Sequence, residues 1–235
     1  SATMLLNVRA QVDLQLVVCG IALPDVPLSG VVAGYSYDLA SDGSWMTHSP
    51  AALLRVDVAA DGTWLTALAE GAAVDGSLVP SGERALLKDG TMVRTRAGEL
   101  RYRALERPYR GALLLDSERW LGVMNGQTAE IGRKPNPPGL ATPSQGGQEN
   151  VRWMPGPRAE RARDSSFSLE RVLTGRRHAA VEVANDAIRI LQLHEKLPTY
   201  LLRADGLQRV DAPTQAQVGD MIITGTAVVC LRPPE

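Results

Sequence analysis

Aromatic side chains are scarce in this chain: one Phe, four Trp and five Tyr make up 4% of it. That is too few for a platform on which nucleic-acid bases stack, so the tryptophans read as core or loop anchors. A surplus of either charge is missing too, with 25 Lys+Arg against 26 Asp+Glu. A general nucleic-acid binder would carry a basic excess. No apolar run approaches the roughly 18 residues of a membrane span. The basic region, apolar stretch and small-residue cleavage site of a signal peptide are absent. Two cysteines, Cys19 and Cys230, and three histidines, His48, His178 and His194, share no metal spacing. The cysteines read as buried, reduced thiols, since nothing else suggests export; a staple between them stays open, because domain termini often lie close. No Gly-rich phosphate loop occurs, and Gly34-Tyr35-Ser36-Tyr37-Asp38 lacks the closing glycine of a nucleophile elbow. The sequence therefore predicts no catalytic residue, no metal, no cofactor and no enzyme.

What is present is strand and turn. The 44% apolar and 22% charged content excludes wholesale disorder, and 235 residues suffice for two domains. Polar Asn7, Arg9, Gln11, Asp13 and Gln15 alternate with apolar Val8, Ala10, Val12, Leu14, Leu16 and Val18. Leu54, Val56 and Val58 alternate with Arg55 and Asp57; Leu100 and Tyr102 alternate with Arg101 and Arg103. Period two marks strands with one face in a core. Asp-Gly pairs at 42–43, 61–62, 75–76, 89–90 and 205–206 punctuate the pattern. Such pairs supply the positive φ that tight hairpins need. Helical periodicity is weak, its best candidate being Ala159–Val172. The fold class is all-β. Lys134–Arg158 carries six prolines and four glycines, which no core strand tolerates. It reads as a mobile surface insertion that continues to about Ser168.

The chain also repeats itself. Val56-Asp57-Val58-Ala59-Ala60-Asp61-Gly62 resembles Val181-Glu182-Val183-Ala184-Asn185-Asp186-Ala187. Gly76 and Gly90 follow the first copy at spacings close to those of Gly206 and Gly219 after the second. Upstream, Val32-Ala33-Gly34-Tyr35 matches Glu130-Ile131-Gly132-Arg133. The expected organisation is two β-domains, 4–105 and 111–232, joined by 106–110.

Ile131-Gly132-Arg133, Arg176-Arg177-His178-Ala179 and Val218-Gly219-Asp220-Met221-Ile222, in that order, resemble the forkhead-associated (FHA) family. The resemblance covers nearly the whole chain as a tandem, the first copy degenerate and the second atypical. It implies two β-sandwiches whose loops at one end recognise protein, usually phosphothreonine peptides. A phosphate dianion needs fixed N–H and O–H donors and a cation, and an arginine fork serves best.

By the same resemblance, Arg133 is the phosphate-facing arginine and Gly132 the small residue of its turn. His178 is a buried histidine that holds loops. Arg176 and Arg177 add positive potential. The family's phosphate-binding Ser falls at Gly175, so a hydroxyl must come from neighbouring Thr174. The peptide-gripping Asn is absent from Glu195-Lys196-Leu197-Pro198-Thr199, leaving Thr199 or Lys196. In the first half Tyr35 stands at the arginine position, and His48-Ser49-Pro50-Ala51-Ala52-Leu53 replaces the Arg-Arg-His turn. Two expectations follow: a phosphate-independent docking scaffold, or a phosphothreonine-peptide adaptor acting through the second half. Either takes a protein partner and no nucleic acid, inserts no segment in a membrane, and works in the cytoplasm. Tandem FHA-like domains resemble the cytosolic N-terminal parts of some bacterial secretion ATPases, so a larger, membrane-associated parent is expected.

Overall fold

The structure is a computed structural model that describes residues 13–25, 35–46, 49–142 and 174–234, with the backbone of 152–153. The helical candidate Ala159–Val172, the alternation over Asn7–Val12, His48 and most of the 134–168 insertion lie outside the described residues. Every described element is a strand.

The first half contains β1 (Leu14–Pro24), β2 (Tyr35–Ala40), β3 (Trp45–Met46), β4 (Ala52–Ala59) and β5 (Gly62–Ala67). It continues with β6 (Ala73–Val74), β7 (Ser77–Leu78), β8 (Arg84–Leu87), β9 (Met92–Thr95) and β10 (Gly98–Ala104). The second half contains β11 (Tyr109–Leu114), β12 (Trp120–Val123), β13 (Thr128–Gly132), β14 (Gly139–Ala141) and β15 (Arg152–Trp153). Then follow β16 (Ala179–Ala184), β17 (Ala187–Gln192), β18 (Thr199–Arg203) and β19 (Gly206–Arg209). The last are β20 (Thr214–Ala216), β21 (Met221–Thr224) and β22 (Ala227–Arg232).

One strand order occurs twice. The sheet β2-β4-β5-β8 has its counterpart in β13-β16-β17-β20, and the run β7-β6-β9-β10 in β19-β18-β21-β22. The β4–β5 and β16–β17 hairpins share their register: Val56 faces Leu65 as Val181 faces Ile190, and both close on a two-residue loop. In the second of these loops Asn185 and Asp186 take φ 51° and 62°, and Asp75-Gly76 takes 48° and 83°. At Asp75-Gly76 these are the left-handed values expected of an Asp-Gly turn; Asn185-Asp186 adopts them without having been singled out as a turn. Asp89-Gly90 differs: it joins β8 to β9, which lie in separate sheets, so it turns a corner and closes no hairpin.

The halves are joined by their first described strands. β10 pairs with β11, and β22 pairs with β1, while β1 and β11 pair with each other. Each half's last strand thus borrows the other half's first. The result is one continuous sheet, β7-β6-β9-β10-β11-β1-β22-β21-β18-β19, with β12 on the N-terminal part of β1. Residues 105–108 connect β10 to β11 inside it, with Leu105 N–H donating to Arg110 O at 3.0 Å, and Tyr109 and Arg110 of the expected linker already lie in β11.

Gly20 marks where β1 changes sides. Its φ is +150°, and a Cβ there would lie 2.2 Å from Leu113 O. On its N-terminal side Leu14, Leu16 and Val18 pack with Ile131, Val181, Ile190 and Leu231. Around it Cys19, Ile21 and Leu23 pack with Tyr35, Tyr37, Val56, Leu65 and Leu100. The second half's back strands are buried on both faces: Val229 and Leu231 belong to one cluster, Val228 and Cys230 to the other. This explains why Ala227-Val228-Val229-Cys230-Leu231 does not alternate, whereas one-sided β4 does. The insertion holds more structure than its prolines suggested. Leu140 of β14 is buried, because β14 runs parallel to β13 at the sheet edge, where missing N–H donors cost no ladder bond.

Candidate functional site

The end of β13 and the turn before β16 meet in a short ladder. Arg133 N–H donates to Gly175 O at 3.0 Å, Lys134 N–H to Arg176 O at 2.9 Å, and His178 N–H to Ile131 O at 2.9 Å. Gly132 lies at the closest approach. A Cβ on it would sit 2.1 Å from Arg176 O, so only glycine lets the turn close. Gly175 is similarly tight, its Cβ position falling 2.8 Å from the His194 ring.

His178 ties this turn to the 194–199 loop. Its Nδ1 accepts the Gly175 N–H at 3.0 Å, so Nε2 carries the proton and donates to Pro198 O at 2.9 Å. Burial, helped by the neighbouring His194, pushes its pKa down to about 4, against the Pro198 hydrogen bond. The ring is therefore neutral, with both nitrogens spent on backbone, and neither is left for proton transfer. His194 extends the brace: its Nδ1 accepts the Lys196 and Leu197 N–H groups at 3.1 and 3.0 Å.

The cations do different jobs. Arg177 is held by Glu130 through bonds of 2.6–3.0 Å, which hold the Glu130 carboxyl below its usual range. Arg133 is exposed, with Nε donating to Thr174 O at 2.7 Å. Arg176 and Lys134 are exposed beside it, and none of these three forms a salt bridge with a described residue. The rim thus presents three positive groups on a stiff turn.

The hydroxyls face the other way. Thr174 is 1% exposed and its Oγ1 donates to Thr224 O at 2.7 Å. Thr199 is fully buried and its Oγ1 has no partner among the described residues. Neither hydroxyl reaches the rim. Arg133, Thr174, Gly175, Arg176, Arg177, His178 and Thr199 are all gathered at one end of the second half, but only Arg133 and Arg176 of that set are exposed and unbridged.

The first half's equivalent end is offset from its sequence match. Leu39 pairs with Leu54 as Ile131 pairs with Ala179, so Ala40 and Ser41 occupy the places of Gly132 and Arg133. Tyr35 starts its strand instead, opposite Val58, with its buried ring edge-on to Tyr37 at 5.6 Å. The Glu130 brace and the Asp38–Arg55 pair (2.8 Å) were not singled out in the sequence. Their signal was available, since Glu130 and Asp38 each lie one or two residues before the turn.

Among the described residues no three His, Cys, Asp or Glu side chains are grouped to hold a metal, and no helix is long and apolar enough to cross a membrane. No family model, no curated protein and no solved structure matches this chain.

Proposed function

We propose that this chain is a non-catalytic docking module: two divergent FHA-like repeats that hold a protein partner without needing phosphate. It belongs in this reading to a larger cytosolic or secretion-linked assembly. The observation that carries it is the Thr174 hydroxyl, spent on the Thr224 carbonyl inside the fold. Thr199 is likewise sealed, and Arg177 is occupied by Glu130. A phosphate-reading site needs hydroxyl and amide donors beside its cation, and arginine alone does not distinguish phosphate from any acid. Calorimetric titration with a degenerate phosphothreonine library and its unphosphorylated twin tests this. Equal heats are expected. Binding lost on dephosphorylation and weakened by Arg133→Ala overturns it.

One observation favours the adaptor reading. Arg133, Lys134 and Arg176 form a cationic rim without a described counter-charge. If phosphothreonine is the ligand, truncating Arg133 costs about 1.5–3 kcal/mol of affinity, the scale of a charge-assisted hydrogen bond.

A further inference from the structure

Far from this rim, the two cysteines meet. The β1–β22 ladder runs Val17 to Cys230 and Val18 to Val229, then resumes at Gly20 to Val228. Cys19 is the residue the bulge leaves over, two positions along β1 from the Val17 that faces Cys230 on the neighbouring strand. Both thiols are free, and both belong to the same core cluster. They line a cavity of about 300 Å³ with Leu115, Asp116, Met221 and Arg232. Arg232 is fixed by two 2.7 Å bonds to Asp116 and lines the same cavity as Cys230.

The pair is therefore unequal. The Cys19 hydrogen bond and the Arg232 guanidinium draw the Cys230 thiol below its ordinary range. The same hydrogen bond, with burial, pushes the Cys19 thiol up. The thiolate is the reacting form, and a guanidinium beside one sulfur selects it. With exposures of 1% and 8%, Cys230 is the more accessible of the two.

We propose that Cys19 and Cys230 form a peroxide-responsive dithiol, with Cys230 reacting first and Cys19 resolving it into a staple between β1 and β22. The Cys230 thiolate attacks one oxygen of hydrogen peroxide. An S–O bond forms, the O–O bond breaks, and hydroxide leaves to be protonated as water. The Cys19 sulfur then attacks the Cys230 sulfenic sulfur. The S–S bond forms, the S–O bond breaks, and hydroxide takes the Cys19 proton as a second water. Two electrons pass from the sulfurs to the peroxide. The staple locks the strand that both halves share to the end of the second half.

The test treats the full chain with hydrogen peroxide and maps its peptides without reduction. A mass loss of about 2 Da and a Cys19–Cys230 linked peptide are expected. The Tm should rise on the order of 10 °C and fall back with dithiothreitol. Over-oxidised Cys230 with no bond to Cys19, or no linked peptide at all, overturns the proposal. In Cys19→Ser, dimedone should label Cys230 after peroxide; in Cys230→Ser, Cys19 should stay unlabelled. The reverse pattern overturns the order of attack. The wild-type map decides the staple even if a variant fails to fold.

Discussion

The two halves reach the same backbone position by the same register and finish it in opposite ways. At the end of β13 the cations point outward over a turn that presses on Gly132. At the end of β2 the chain turns inward. Asp38 is fully buried there, accepting from Arg55 Nε at 2.8 Å and from the Ser49 N–H at 3.3 Å. Ala40 sits where Gly132 does, and the ladder slips by one residue between Leu39 and Ala40. The slip gives the alanine its room. Register decides where the end lies; side chains decide whether it becomes a sealed plug or an open rim.

The sharpest way to break the comparison is at the glycine. Gly132→Ala forces its Cβ onto the Arg176 carbonyl, 2.1 Å away, and backbone cannot rotate aside as a side chain can. A loss of about 3–4 kcal/mol is expected from urea unfolding, with the 175–177 turn displaced. Ala40→Gly in the first half should cost about 1 kcal/mol or less, as backbone entropy only. Equal losses would mean the two ends are not equivalent.

The ion pairs come next. Arg55→Met removes one charged partner of a carboxylate that has no solvent access, at about 3 kcal/mol. Arg177→Met removes a partner that is itself 54% exposed, and the Tm should not move. A Tm drop for the second variant as large as for the first would show that the rim, too, is a structural plug.

These contrasts mark what could be read from residues alone. Alternation in Leu54-Arg55-Val56-Asp57-Val58 announced a one-sided strand, and Asp75-Gly76 announced a tight turn. The turn and brace roles given to Gly132 and His178 came from the family resemblance, not from their local sequence. The destination of β1 was not legible. Its pairing with β22 spans nearly the whole chain, and local pattern carries no information on partners that distant. Nor was the Thr174 hydroxyl, whose choice between rim and interior depends on a carbonyl fifty residues away in sequence. Tyr35 was matched to Arg133 by spacing along the chain, but the ladder register puts Ser41, six residues further on, at the equivalent place.

Acid should loosen the halves unequally. His178 is held neutral, with a pKa near 4 against an unfolded value of 6.5. Its position in the first half belongs to Leu53, which does not titrate. A lowered histidine pKa means the unfolded chain binds the extra proton first. The stability from this group is therefore complete above pH 6.5, declines as pH falls, and is gone near pH 4. The loss is on the order of 3 kcal/mol. Carboxylates begin to protonate at the acid end of this window, so the readout is the difference between the wild type and His178→Gln. Hydrogen exchange at pH 4.5 should speed up in β16 ahead of β4; simultaneous loss in both strands would assign the acid sensitivity elsewhere.

A small effect on stability is also expected at the exposed arginine of the rim. Arg133 is exposed and contributes one hydrogen bond to the fold, from Nε to the Thr174 carbonyl. Arg133→Ala should cost about 0.5–1 kcal/mol of stability, because water replaces the lost donor at that carbonyl. Arg133→Lys separates the two jobs the side chain could hold. A lysine keeps the rim charge but has no planar fork to span a carbonyl and a ligand together. If the second half docks by charge and shape, partner affinity survives the lysine and weakens with alanine. If it reads phosphate by a bidentate grip, lysine and alanine fail alike, and the open rim is a working site whose missing hydroxyl the partner itself supplies.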